Sequence, residues 1–150
     1  MIFSTKAEYG VHVMTHLART DGSEPVSLAT IASKERLPLA YLEHLAQRLR
    51  KAELVESRRG AQGGYTLARS ASEITMAEVV EALEGGLVPV ECLSASADGA
   101  TVCAREVEDG TACPTKLLWT RVQGSIVRTL NEITLAELAE PARRKGTKAA

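Results

Sequence analysis

Apolar residues recur at helical spacing from the start of the chain. Ala7, Val11, Met14, Leu17 and Ala18 share one face, and Thr5 with Glu8 three residues later reads as a capping box opening that helix. Asp21 and Gly22 end it. Ser27 is placed to cap a short second helix carrying Leu28, Ile31 and Ala32; Pro38 then interrupts, and a third helix begins near Leu39. The third helix has a buried stripe of Leu39, Leu42, Leu45, Ala46 and Leu49. Its outer face, Tyr41, Glu43, His44, Gln47, Arg48, Arg50 and Lys51, is polar. Two short helices across a tight break, the second polar on its outside, form a helix-turn-helix pattern.

Residues 54–58 and 65–69 read as two short strands around the glycine-rich tip Gly60 to Gly64, a hairpin wing beside the helix-turn-helix. Thr75 and Glu78 make a further capping box for a helix with Met76, Val79, Val80 and Leu83 on one face, stopped by Gly85 and Gly86. Residues 87–112 lose periodicity and read as a small, acidic loop. A long helix resumes from Cys113 and Pro114, with Trp119, Val122, Ile126, Leu130 and Ile133 on one stripe and Leu118 and Val127 widening it. So wide a stripe suits packing on two bodies, its own domain and a partner helix. The polar tail 141–150 is expected to be disordered. The expected fold is mainly α with a small β-hairpin. It comprises a winged helix-turn-helix over 1–86 (helix-turn-helix 28–51, wing 54–69), a cysteine-bearing loop over 87–113, and a dimerisation helix with a terminal short helix over 114–140.

Composition adds bounds to this picture. The 150 residues are 45% hydrophobic, enough for one domain with a core. No run approaches the roughly 18 apolar residues that span a bilayer, and no leader-like N-terminus is present, so the expected location is cytoplasmic with no membrane partner. The net charge is only −1, yet residues 34–59 carry seven Lys/Arg against four Asp/Glu, while residues 84–110 carry one against six. A basic reader and an acidic accessory segment are separated along the chain.

A helix in the major groove reads bases through side chains near its N-terminus, here Tyr41, Glu43 and His44. Glu43 is the informative one. A carboxylate facing phosphates is repelled, no cation stands at its i+3 or i+4 position, and accepting a hydrogen bond from cytosine N4 would account for it. Arg48, Arg50, Lys51, Arg58 and Arg59 suit phosphate contacts, which carry affinity but little sequence information. Arg59 and Gln62 flank the wing tip, where glycines allow close approach to a groove. Ser27 and Leu28, at the start of the second helix, complete the expected DNA-contacting set. No orienting third group accompanies any Cys and His pair, so an enzyme is not expected.

The three cysteines, Cys92, Cys103 and Cys113, have the spacing C-x10-C-x9-C, too loose to specify a metal. Lying in or beside an aperiodic loop, they are expected to be available thiols rather than packed core residues, and thiolates suit soft metals. Cys113, just before a helix start, is expected to have a lowered pKa.

Tyr41-Leu42-Glu43, the run Arg48 to Lys51, Leu54-Val55, Arg59-Gly60-x-x-Gly63-Gly64-Tyr65 and Ile133-Thr134-Leu135-x-Glu137-Leu138 together closely resemble the Rrf-two family of bacterial winged-helix regulators, from about Met1 to Glu140. That family includes iron–sulfur sensors of the IscR, NsrR and RirA kinds. The resemblance implies a homodimer joined by the long helix, bound to a palindromic double-stranded DNA operator. It also implies an iron–sulfur cluster, 2Fe-2S or 4Fe-4S, on Cys92, Cys103 and Cys113. The chain departs from the IscR pattern in its longer intercysteine gaps and in Lys116, which stands where IscR has its histidine ligand. A fourth ligand must then come from elsewhere: Glu8 or His12, one helical turn apart on the first helix. Some NsrR-like relatives use a carboxylate at the Glu8 position, given by the other subunit. Two metal-bearing or metal-free alternatives remain at this point, a structural zinc site and a thiol–disulfide switch.

Overall fold

A computed structural model describes residues 3–20, 24–96 and 100–140. Among these residues, seven α-helices and two antiparallel hairpins follow in the order α1 (Thr5–Arg19), α2 (Leu28–Glu35), α3 (Leu39–Lys51), β1 (Val55–Arg58), β2 (Gly64–Leu67), α4 (Met76–Glu84), β3 (Leu93–Ala95), β4 (Thr101–Cys103), α5 (Ala104–Asp109), α6 (Lys116–Glu132) and α7 (Leu135–Ala139), with one 3-10 turn (Ala71–Glu73) before α4. Asp21 and Gly22, the expected stop of the first helix, and the tail 141–150 lie outside the described residues, as does Met1.

The core is built on α1, which buries Ala7, Gly10, Val13, Met14 and Leu17 along one face. Against that stripe pack α4, α7, α3, β2 and α2, with Leu42, Leu45 and Leu49 of α3, Val79 and Leu83 of α4 and Leu135 of α7 all in the same cluster. Gly10 lies against α4, and a Cβ there would run into Leu83. The start of α1 differs from the expected capping box. Ser4, not Thr5, is the N-cap: its hydroxyl accepts from the Lys6 N–H. The Ser4 hydroxyl and N–H both donate to Glu84 Oε1, at 2.7 and 2.8 Å. This latch from the last turn of α4 fixes the boundary one residue earlier and leaves the Glu8 carboxylate with no partner among the described residues. Burial opposes ionisation of Glu84, but the two bonds from Ser4 and the nearby Lys6 ammonium outweigh it and hold its carboxyl below the ordinary range.

α2 is capped by Ser27 Oγ accepting the Thr30 N–H, and it ends on Arg36, which adopts a left-handed conformation (φ 57°) to turn the chain into α3. Pro38 precedes α3 and no side chain caps its N–H groups. In the wing, Val55 pairs with Leu67 and Arg58 with Gly64. Val26 bridges to Tyr65, so the segment before α2 becomes a partial third strand. Gly64 is required there, because a Cβ would strike the Val26 backbone. The expected capping box of α4 is present, with Thr75 and Glu78 bonding each other's backbone.

The expected loop over 87–113 is a correction. It contains the β3–β4 hairpin, with Leu93 paired to Cys103 and Ala95 to Thr101, followed by the short helix α5. Strands of three residues are too short for alternation to emerge in the sequence. Beyond them, α6 carries no buried residue along its seventeen positions, and Leu117 and Leu118 are 64% and 55% exposed. After α6 the chain returns to the reader: the Met76 N–H donates to the Ile133 carbonyl and the Leu135 N–H to the Ile74 carbonyl, both at 2.9 Å. No helix among the described residues is long and apolar enough to cross a membrane.

The close approach of α1 and α4 gives a direct test. Gly10→Ala is expected to destabilise the fold by about 1–3 kcal/mol through overpacking against Leu83, read as a lowered urea midpoint with an unchanged slope.

Candidate nucleic-acid interface and cysteine site

Four α3 side chains, Glu43, His44, Gln47 and Lys51, are exposed with no hydrogen-bond or ionic partner among the described residues. They present one polar face beside an uncapped helix N-terminus, which offers free backbone donors. The other expected α3 contacts are partly engaged. Tyr41 is half-buried and meets Tyr9 edge-on, with ring centroids 5.7 Å apart at 88°, so it belongs to the rim of the core rather than to a free outer face. Arg48 donates to the Leu83 carbonyl at 3.1 Å, closing the end of α4. Arg50 reaches Ser57 Oγ at 3.4 Å across to the wing.

At the wing, Arg58, Arg59 and Gln62 are exposed and unpaired among the described residues, around a tip closed by the Gly63 N–H donating to the Gly60 carbonyl at 2.9 Å. Ser27 Oγ is used as the α2 cap and also contacts Thr30 Oγ1 at 2.8 Å. Leu28 packs against the core, leaving its backbone as the part able to meet a phosphate.

The second hairpin gathers the thiols. The Ala104 N–H donates to the Cys92 carbonyl at 2.8 Å, which sets Cys92 beside the Cys103 strand end. Cys103 is 1% exposed, contrary to the expectation of three accessible thiols: it closes the hairpin opposite Leu93 and packs inward. Cys92 and Cys113 are half-buried, and all three are free thiols. Cys113 Sγ lies 3.4 Å from Thr115 Oγ1. The Thr115 hydroxyl and N–H outweigh the desolvation that opposes them and, with smaller help from the Cys103 thiol and the Lys116 N–H, hold the Cys113 thiol below its ordinary range. The direction expected from its helix-start position is therefore met, through named local donors.

Lys116 is bound by Glu106, Nζ to Oε2 at 2.5 Å, and the same carboxylate accepts from the Cys113 N–H at 3.0 Å. The Glu106 contact, with the adjacent Cys103 and Cys113 thiols, raises the Lys116 pKa. A cation thus stands close enough to the Cys103 and Cys113 thiols to feel their charge. Among the described residues no three His, Cys, Asp or Glu side chains converge in a geometry that would hold a metal ion. Glu8 and His12 line a groove on α1 with Val11, Val80 and Leu130, and no cysteine takes part in it. His12 Nδ1 is bonded to Glu35 at 3.2 Å. The three thiols suit a soft metal group in type, but within a single chain they do not converge on one.

The sequence reading missed His16 and Glu35. His16 Nδ1 bonds Glu35 at 2.9 Å, beside the His12 bond. The i, i+4 spacing of His12 and His16 was a signal that both face one neighbour; the identity of that neighbour, nineteen residues away from His16, was not.

A polar reading helix, a tight left-handed turn before it and a glycine-tipped hairpin beside it define a winged helix-turn-helix, the architecture of a DNA-binding transcription regulator. The Rrf2 family, described as iron-dependent transcriptional regulators, matches residues 3–141, and the chain belongs to it. It is 37% identical over 139 residues to the HTH-type transcriptional regulator CymR of Bacillus subtilis, covering 93% of this chain and 90% of that one. It is 38% identical over 138 residues to the HTH-type transcriptional regulator IscR of Sodalis glossinidius, covering 92% and 78%. The solved structure of T. potens IscR superposes with a TM-score of 0.73 at 36% identity, covering 100% of this chain and 94% of that one. These relatives are transcription regulators and not enzymes.

The thiol geometry predicts an order of labelling. Under limiting iodoacetamide at neutral pH in the metal-free protein, Cys113 is expected to be alkylated first and Cys103 last, read by peptide mass spectrometry, and Thr115→Val is expected to slow Cys113. Equal rates at the three sites would contradict it.

Proposed function

We propose that the chain is a cytoplasmic homodimeric regulator whose operator binding is controlled by an iron–sulfur cluster. The observation that carries the cluster reading is the placing of Cys92, Cys103 and Cys113 around one hairpin, while an unpaired carboxylate, Glu8, stands on the exposed face of α1. Cys92, Cys103 and Cys113 of one chain would hold the cluster, and Glu8 or His12 from α1 of the second copy would complete it. When bound, the cluster supplies a link that oxidation, iron loss or nitric oxide can break. Such a mixed ligand set is more labile than four thiolates. Glu8 is favoured as the oxygen donor, because Ser4 performs the capping that had offered another explanation for it.

The dimer reading rests on α6, whose wide apolar stripe finds no full burial in one chain. Two-fold pairing through it would present two α3 helices to a palindromic duplex. In each half, Glu43 and His44 would face base edges, and Lys51, Arg50, Arg58 and Arg59 the phosphates, with Gln62 at the groove beside the wing. Ser27 and Leu28 would meet the backbone, and Arg48 and Tyr41 would support the helix from behind.

One observation favours a second reading without metal. The Cys113 thiol is held below its ordinary range by Thr115, with the Cys103 thiol contributing in the same direction, and one solved relative, CymR of B. subtilis, is a global cysteine regulator. A Cys103–Cys113 disulfide, formed with loss of two protons and two electrons to a peroxide, would then be the signal.

Anaerobic reconstitution with iron and sulfide separates the two. The cluster reading expects a brown protein containing both elements, bleached by chelator together with a change in DNA affinity. A colourless protein that instead forms a reversible Cys103–Cys113 disulfide would establish the thiol switch.

For the reader, Glu43→Ala is expected to relax preference at one base position by about tenfold or more, the scale of one lost base contact of about 1–3 kcal/mol. Affinity for random duplex should stay nearly constant. Competition binding against operators varied at single positions measures this, and equal losses on all sequences would remove Glu43 from the base-reading set.

A further inference from the structure

The last residue of α2, Glu35, is held from α1 at both carboxylate oxygens: Oε2 meets His12 Nδ1 at 3.2 Å and Oε1 meets His16 Nδ1 at 2.9 Å. With both oxygens engaged the carboxylate has a fixed plane, and with it the roll of the helix end that carries it is fixed. α2 needs such a hold. It is eight residues long, and a single short stripe of Leu28, Ile31 and Ala32 anchors it, so the Glu35 bonds add a second hold at its far end. Only Arg36, Leu37 and Pro38 separate Glu35 from α3, and the chain there passes through the left-handed conformation of Arg36. Any rotation of the α2 end is passed directly to the start of α3, where the base-reading side chains stand. A base contact tolerates little displacement, since hydrogen bonds weaken steeply with distance and angle.

The two imidazoles are unequal. His16 is 11% exposed and His12 54% exposed, so His16 is the inner anchor. The His16 hydrogen bond is the leading cause of the lowered Glu35 pKa, ahead of the desolvation that opposes it and of the His12 bond. The surrounding groove adds Glu8 and Arg19 from α1 and the apolar Leu130 and Leu138 from α6 and α7, none of which bonds the carboxylate.

We propose that Glu35, gripped by His12 and His16, is a positioning residue for sequence discrimination: it fixes the angle at which α3 is presented to DNA. It touches no base itself. This rests on α3 being the reader and not on the cysteine chemistry.

The test uses the full chain, a duplex selected from random DNA by the wild-type protein, and an unselected duplex of equal length. Glu35→Gln is expected to weaken binding to the selected duplex at least tenfold. Binding to the unselected duplex should be unchanged or tighter, because a negative charge has been removed. His16→Asn places an amide N–H near the position of imidazole Nδ1–H and is expected to keep the wild-type ratio, whereas His16→Leu is expected to lose it. A ratio within twofold of wild type for Glu35→Gln, proportional loss on both duplexes, or identical behaviour of His16→Asn and His16→Leu would overturn the proposal. If Glu35→Gln does not fold, the His16 pair decides the matter in the same way. Glu43→Ala, measured alongside, distinguishes the failures: both variants keep the ratio if α3 is not the reader, and Glu43→Ala alone loses it if α3 reads but Glu35 does not position it.

Discussion

Burial of one face of α1 holds the rest of the structure in place. The stripe from Ala7 through Leu17 is covered by α2, α3, α4, α7 and the second wing strand, so helices far apart in sequence share one apolar surface. Fully burying side chains such as Met14, Leu17, Leu42, Leu49 and Leu83 gains about 1.5–3 kcal/mol each relative to exposure, against the cost of ordering the chain. The glycine at position 10 lets α4 approach closely enough to seal that surface. The polar contacts then refine what burial has assembled: Ser4 and Glu84 fix where α1 begins, Arg48 fastens α3 to the end of α4, and Glu35 fastens α2 to α1.

The elements that use this surface were legible because their periodicity is imposed by it. α3 and α4 came out of the apolar spacing, and their starts out of Pro38 and the Thr75–Glu78 box. The wing was marked by the glycine cluster between two short alternating runs, although its strands are narrower, Val55–Arg58 and Gly64–Leu67. The first capping residue was misplaced by one, since Thr5 and Ser4 have equivalent hydroxyls and only the distant Glu84 distinguishes them. Tyr41 fell on the polar side of a helical projection, but a phenol is long enough to fold back to Tyr9, which lies outside its own helix.

The candidate sites divide along the same line. The exposure of Glu43, His44, Gln47 and Lys51 was legible in sequence because exposure and charge are local properties. The second hairpin was not, because three-residue strands contain too few positions to show alternation; with it went the burial of Cys103 and the hold of Glu106 on Lys116. The grip on Glu35 joins side chains from two helices across a turn and has no trace in any single window, beyond the spacing of two histidines.

The backbone pairing of Ile74 and Met76 with Ile133 and Leu135 has a consequence for how such a protein can change. It brings the two ends of the segment between them to one point, so the thiol-bearing hairpin, α5 and α6 form a long excursion with a pinned base. Lengthening or reshaping such an excursion costs little closure entropy, since that cost grows only logarithmically with its length. Within that segment α4 and the Leu130 end of α6 stay packed on the core, and the hairpin with α5 lies beyond them. Changes of length or sequence in that outer part can therefore be absorbed with the packing around α3 left in place.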